Sequence, residues 1–161
     1  MRRLVLIRHA KSDWGDEGTR DHDRHLAERG RHDAPRMGAW LQAQGLVPGL
    51  VLCSTATRTR ETLALMLPEW AEQPQVEHRA ELYAAAPATL LKAARESGAE
   101  SVALVAHNPG IGALAAQMAV AAPEHPKFRR YPTAAITVLE FDEAMAAGRG
   151  RVLAFAVPKD L

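Results

Sequence analysis

Short apolar runs recur along the chain, and segments with helical periodicity separate them. Three of these runs are continuous, which is typical of strands buried on both faces of a parallel sheet; they are residues 4–7, 50–53 and 101–106. Two later segments, 136–141 and 151–156, alternate more and are joined by a turn around Gly148 and Gly150. They predict a C-terminal antiparallel pair of strands. Residues 76–78 are a candidate for one more short strand.

Helical patterns fill the gaps between the apolar runs. Ala34, Met37 and Leu41 fall on one face of a helix that ends near Gly45, and Pro35 inside it predicts a kink or a later start. Further helices are predicted over residues 59–67, 87–96 and 109–120. The alternation predicts an α/β fold: a three-layer α/β/α sandwich with a mostly parallel central sheet, and with the antiparallel pair at or near its edge.

The composition narrows the possible functions. The 161 residues fit one domain, and a net charge of +1 argues against a dedicated binder of nucleic acid or membrane surfaces. The one cysteine, Cys53, allows no intrachain disulfide, which favours a reducing, cytoplasmic location. We interpret Cys53 as a small buried apolar residue. No apolar run reaches the length of a membrane span.

Two histidines follow buried strands directly. His9 ends the first long run and His107 ends the third, at the sheet edge where open α/β folds bind ligands. Arg8 precedes His9, and Arg58 begins the helix that follows the second strand. A helix N-terminus attracts anions, and a guanidinium group suits phosphate oxygens. The alternatives are polar residues that cap strand ends, and a salt bridge for Arg8.

These groups suit phosphoryl transfer. Arg8, Arg58 and a protonated His107 would hold the three equatorial oxygens, while neutral His9 attacks phosphorus. The product is a phosphohistidine intermediate on the enzyme. Because guanidinium and imidazolium groups supply the positive charge, the reaction requires neither a metal nor a cofactor.

Three blocks of the sequence resemble the histidine phosphatase superfamily, which is also called phosphoglycerate mutase-like. The matching residues are, in chain order, Arg8-His9-Ala10, Ser54, Arg58, Thr62 and Ala106-His107-Asn108-Pro109. The family usually has glycine in place of Ala10 and Ala106. The resemblance implies one histidine phosphatase domain over residues 1–161, with Ser54 and Asn108 among the substrate-binding residues. Asn108 is also suited to cap the helix that follows it.

Within that superfamily the chain resembles the short SixA-type phosphohistidine phosphatases. Their Arg-Pro-Leu-Thr segment, followed by glycine, corresponds to residues 24–27 with Gly30. The match implies that Arg24 is a further phosphate-site arginine, although His25 replaces the proline. Residues 68–101 leave no room for the helical lid of larger members, so an open site is expected. An open site suits a phosphorylated protein, such as a phosphorelay histidine domain.

The resemblance also raises the question of a general acid. Members that cleave phosphate esters use a Glu or Asp in the middle region, where Glu81 is the only good candidate; the alternative is a surface glutamate. An alkoxide leaving group needs a proton donor, whereas an imidazole nitrogen, with a reference pKa of about 6.5, leaves more easily. The resemblance to SixA-type members thus implies a reaction that needs no strong acid.

Other functions stay open on the sequence alone. A small-molecule phosphomonoesterase or mutase would use the same residues and need Glu81. A non-catalytic module would bind phosphoproteins without turnover. A metal hydrolase could be built on residues 21–25, although no further ligands accompany them. His32, His78 and His125 are interpreted as surface residues.

Overall fold

A computed structural model describes residues 1–161, with six strands in one sheet. The strands are β1 (Arg2–Arg8), β2 (Leu50–Ser54), β3 (Gln75–Arg79), β4 (Ser101–Ala106), β5 (Ile136–Phe141) and β6 (Arg151–Ala156). Their order across the sheet is β3-β2-β4-β1-β5-β6. The first four strands are parallel, β5 is antiparallel to β1, and β6 is antiparallel to β5 at the edge. The predicted sheet and its C-terminal antiparallel pair are confirmed.

Four helices cover the two faces of the sheet. They are α1 (Glu28–Ala43), α2 (Thr57–Met66), α3 (Pro87–Glu96) and α4 (Gly110–Met118). Successive residues of β1 point to opposite faces: Leu4 and Leu6 pack in a cluster with α3 and α4, whereas Val5 and Ile7 pack in a second cluster with α1 and α2. This confirms the three layers. Between α2 and β4 the chain forms only β3, α3 and two short 3₁₀ turns, so no lid domain is inserted.

Helix α1 begins earlier than the hydrophobic pattern predicts. It runs from Glu28 and continues through Pro35. Tertiary contacts fix its start: the Glu61 carboxylate accepts the Leu26 N–H at 2.7 Å, and the Ala27 N–H donates to the Lys11 carbonyl at 2.9 Å. Periodicity cannot show such contacts, because they come from residues distant in sequence.

The strand order brings the two histidine-bearing strand ends together. β1 and β4 are parallel neighbours, with Arg8 opposite Ala106, and the His9 N–H extends the ladder to the Ala106 carbonyl at 3.1 Å. β2 flanks β4 on its other side and ends at Ser54. The C-terminal ends of β1, β4 and β2 therefore meet at one edge of the sheet.

None of the helices is long and apolar enough to cross a membrane.

Candidate active site

His9 and His107 face each other at this sheet edge. Their ring centroids are 5.3 Å apart, and both residues are buried. The backbone ladder between β1 and β4 fixes the separation, so two residues nearly 100 positions apart in sequence share one site.

The hydrogen bonds of His9 define its tautomer. Nδ1 lies 2.7 Å from the Ala10 carbonyl oxygen, which only accepts, so Nδ1 carries the proton and donates it. Nε2 then holds a lone pair, and no protein group bonds to it. Burial lowers the pKa of His9 to about 3, and the neighbouring His107 and Arg8 add to the effect. His9 is therefore neutral at neutral pH, which is the protonation state of a nucleophile.

His107 is oriented by Ser54. Nε2 of His107 lies 2.8 Å from Ser54 Oγ, and that oxygen also accepts the Ala56 N–H at 3.3 Å. We assign the hydroxyl proton to the bond with Nε2, which leaves the N–H of the ring at Nδ1. This Nδ1 is buried and has no partner within the protein. A buried donor without a partner is costly, so the site is suited to an oxygen-rich ligand.

The protonated His107 expected from the sequence requires a further negative charge. Burial, and then Arg58, lower the pKa of His107 to about 4, so the protein groups alone favour a neutral ring. A phosphoryl group beside the ring would raise that pKa again. In either state the Nδ1–H can donate to a phosphoryl oxygen.

Two guanidinium groups reach the same place. Arg8 donates through Nη1 to the Tyr131 carbonyl at 3.0 Å, while its buried Nε has no partner. Arg58 is only 9% exposed at its side chain. Burial, and then the nearby Arg58, lower the pKa of Arg8. Arg58 is buried and Arg8 is half-buried, and Arg8 has no carboxylate partner, so the site favours a bound anion.

Asp21 contributes a carboxylate to the site, a role that its sequence context did not indicate. Asp21 lies in a 3₁₀ turn, Asp21–Asp23, and accepts from Arg58 Nη2 at 3.0 Å, from Arg24 Nη1 at 3.1 Å and from the Tyr83 hydroxyl. Its carbonyl oxygen also accepts from Arg58 Nη1 at 2.7 Å. The Tyr83 hydroxyl, followed by Arg58, holds the pKa of Asp21 well below its usual range. Asp21 is therefore ionised at neutral pH, and only its proximity to Arg24 in sequence could have marked it.

Tyr83 is a second residue that the sequence analysis did not select. Its ring meets the edge of His107 at 5.4 Å and of His22 at 4.9 Å. The Arg58 guanidinium carbon lies 6.0 Å from the Tyr83 ring centre. Tyr83 thus forms an aromatic wall beside His107.

Arg24 joins the site only through Asp21. Its other bonds go to the Asp13 carbonyl at 2.7 Å and to Ser12 Oγ at 2.9 Å, and its guanidinium lies 5.5 Å from the ring centre of Trp14. Arg24 therefore braces the loop that follows β1, and no contact joins it to either histidine.

Two other candidate residues, Asn108 and Glu81, differ in whether they contact the groups of the site. Asn108 donates to the Tyr131 carbonyl at 2.9 Å, the same oxygen that Arg8 binds, and accepts the Gly112 N–H at 3.2 Å. Asn108 therefore links the start of α4 to the Arg8 support. Glu81 has a half-exposed carboxylate that pairs with Arg79 at 3.5 Å, and no contact links it to the histidines.

Backbone strain concentrates around the site. The three non-glycine residues with positive φ are Ala84 at 51°, Tyr131 at 50° and Ala134 at 64°. The Tyr131 carbonyl holds Arg8, the Ala134 N–H donates to the His9 carbonyl at 2.9 Å, and Ala84 follows the aromatic wall. Such conformations are typical of functional sites, where the surrounding structure enforces them.

Side chains of residues 21–25, the candidate metal-binding segment, bind other protein groups. Asp21 pairs with Arg58, and His25 Nδ1 lies 2.9 Å from the Glu61 carboxylate. No group of three His, Cys, Asp or Glu side chains converges as metal ligands would.

Fold and site together define a phosphatase of the phosphoglycerate mutase-like class. Residues 4–79 match the histidine phosphatase superfamily, branch 1. The SixA structure from Agrobacterium tumefaciens is 30% identical and superimposes with a TM-score of 0.81, covering 98% of each chain. The SixA structure from Nakamurella multipartitia is 31% identical, with a TM-score of 0.80, and covers 98% of this chain and 96% of that one. The chain belongs to the histidine phosphatase superfamily and is of the SixA type.

Two sequence relatives are described as uncharacterized proteins. Rv1276c of Mycobacterium tuberculosis is 36% identical over 95% of this chain and 100% of its own length. A chloroplastic protein of Arabidopsis thaliana is 52% identical over 65 residues, which is 40% of this chain and 30% of that protein.

Proposed function

We propose that this phosphatase hydrolyses phosphohistidine on a protein, without a metal, through a phosphohistidine intermediate at His9. The neutral His9 carries the proposal: its Nδ1–H is fixed by the Ala10 carbonyl, and its Nε2 lone pair faces a site with two guanidinium groups. In the first step Nε2 attacks phosphorus and the bond from phosphorus to the substrate's imidazole nitrogen breaks, while Arg8, Arg58 and the Nδ1–H of His107 hold the equatorial oxygens. In the second step water adds to the phosphoryl group, the electron pair of the P–N bond returns to Nε2, and dihydrogen phosphate leaves.

The carboxylates of the site favour a nitrogen leaving group. An ester leaves as an alkoxide and needs a proton from a general acid. Asp21 is ionised by its partners, and Glu81 lies in the solvent with Arg79, so neither presents a proton at the reacting phosphate. Imidazole leaves as a neutral ring and needs no such donor. This contrast supports phosphohistidine as the substrate over a phosphate ester.

The openness of the site supports a phosphohistidine that belongs to another protein. No lid is inserted between α2 and β4, so the residues beside Asp21 and Tyr83 are open to solvent. A side chain on the surface of another protein can approach such a site. A phosphorelay histidine domain is a partner of this kind.

The test compares two substrates in the presence of excess chelator. The protein is incubated with a phosphohistidine protein and, separately, with para-nitrophenyl phosphate, together with a His9→Ala variant whose folding is checked by circular dichroism. We expect loss of protein phosphate that requires His9 and ignores the chelator, with weak ester cleavage. Strong ester cleavage with an inert phosphohistidine would favour the small-molecule phosphatase. Stable binding without turnover of either substrate would favour the binding module.

A further inference from the structure

Tyr83 contacts His107 and binds Asp21, whereas neither Tyr83 nor Asp21 has a ring contact or hydrogen bond with His9. The contacts run in order from His9 to His107, from His107 to Tyr83, and from Tyr83 to Asp21. A group that leaves phosphorus in line with the attack departs on the side opposite His9. A leaving group that departs along the Tyr83 side of His107 would therefore meet Tyr83 and Asp21.

Asp21 has capacity for one more hydrogen bond. Its side chain accepts three, from Arg24, Arg58 and Tyr83, whereas a carboxylate has about four lone-pair sites. The side chain is 53% exposed although it is bonded to the buried Arg58. A donor that arrives from the solvent can thus reach the free position at Oδ1, which carries only the Arg24 bond.

The leaving ring of a phosphohistidine needs such an acceptor. When the distal ring nitrogen keeps its proton, the P–N bond breaks to give neutral imidazole; without that proton the ring must leave as a much more basic anion. A carboxylate that accepts a hydrogen bond from the distal N–H holds the proton in place. At His9 the Ala10 carbonyl holds the Nδ1–H in the same way, so that His9 can carry the phosphoryl group as a cationic ring.

We propose that Asp21 and Tyr83 form the subsite for the departing imidazole, with the Asp21 carboxylate accepting its distal N–H and the Tyr83 ring packing beside it. The inference rests on the function proposed above. The bond from His9 Nε2 to phosphorus forms as the bond from phosphorus to the substrate nitrogen breaks. The electron pair stays on that nitrogen, the distal proton stays on the ring, and a neutral imidazole departs. Asp21 is then a specificity residue, because an ester offers it no N–H.

The test uses two small substrates, phosphoimidazole and acetyl phosphate. Both leaving groups depart without a general acid, but only imidazole has a distal N–H. We expect Asp21→Asn to lower kcat for phosphoimidazole about 10- to 100-fold, the size of a hydrogen bond to a charged group, and to leave acetyl phosphate within about threefold. In the plot of kcat against pH for phosphoimidazole, the decline at alkaline pH (the alkaline limit) should also begin at a lower pH. Tyr83→Phe, which keeps the ring, should change the rates in the same direction.

Asp23→Asn is the matched control, because Asp23 belongs to the same 3₁₀ turn but pairs with His22. It should leave both rates unchanged. If Asp21→Asn or Tyr83→Phe lowers both substrates equally and leaves the alkaline limit in place, Asp21 only braces Arg58 and the inference is wrong. A wild-type protein that cleaves acetyl phosphate but not phosphoimidazole would instead contradict the proposed function, before any variant is compared.

Discussion

Thr62 should determine both the stability of the sheet edge and the reactivity of His9. Its hydroxyl is fully buried, accepts the Ala10 N–H at 2.9 Å and donates to the Arg58 carbonyl at 2.7 Å. The same Ala10 residue presents the carbonyl that orients His9. A Thr62→Val substitution keeps the shape of the side chain but removes both hydrogen bonds, so it isolates the contribution of the hydroxyl.

The loss of stability expected for Thr62→Val follows from the buried Ala10 N–H, which would lose its hydrogen-bond acceptor. An unsatisfied buried donor costs about 1–3 kcal/mol. If the free energy of unfolding falls by about 2 kcal/mol, Tm of a chain of this size should fall by about 4–8 °C. The Ala10 peptide would also shift away from His9, and weakening of the Nδ1 bond by about 1.4 kcal/mol would lower kcat about tenfold.

Urea and thermal unfolding measure the loss of stability and the fall in Tm, and steady-state kinetics on the same preparations measure kcat. Thr62→Ser restores the hydroxyl, so it should recover most of the kcat, although the lost methyl group keeps its stability below that of the wild type. A Thr62→Val protein with the stability and kcat of the wild type would refute the reasoning. A Thr62→Ser protein as slow as Thr62→Val would show that the methyl group, and not the hydroxyl, positions the nucleophile.

Three further predictions address a close backbone approach, the pH dependence of stability, and the general acid. Gly30→Ala should lower the free energy of unfolding by more than about 3 kcal/mol, because the new Cβ would overlap the Lys11 carbonyl. The control Gly49→Ala, whose Cβ would lie 3.8 Å from the nearest atom, should stay within about 0.5 kcal/mol of the wild type. Equal urea midpoints for the two variants would contradict this. The folded protein binds the His9 proton only near pH 3, so stability falls as pH drops below the unfolded pKa of about 6.5. Between pH 6.5 and 5, His9→Gln should therefore lose about 1.6 kcal/mol less stability than the wild type. Equal losses in urea unfolding would show that His9 is not the titrating group. Glu81→Gln should leave phosphohistidine hydrolysis within about twofold, since the carboxylate is half-exposed and bonded to Arg79, and a tenfold loss would make Glu81 a participant.

The parts of the fold that follow from local pattern could be predicted from the sequence. Each continuous apolar run is a strand because a parallel sheet buries both of its faces, as Leu4 and Val5 show by packing in opposite clusters. A histidine at the end of each of two such strands could be placed at one edge without knowing the strand order. Cys53 is buried, as predicted.

The residues that the sequence did not reveal lie in loops. Asp21 reaches Arg58 because the chain after β1 folds back over α2, and no local pattern encodes that path. Tyr83 follows a short 3₁₀ turn, and its position beside His107 depends on the packing of that turn against the sheet. Arg24 could be matched by motif, but its bonds to Ser12 and Asp13 depend on the loop conformation.

The position of β4 between β1 and β2 has a consequence for synthesis of the protein. Neither β1 nor β2 can pair with its central neighbour until residues 101–106 have been made, since β1 and β2 do not touch each other in the sheet. At a translation rate of about 5–20 residues per second, β1 waits roughly 5–20 seconds for that partner with its apolar side chains uncovered. The growing chain therefore holds its nucleophile long before it has a phosphate site.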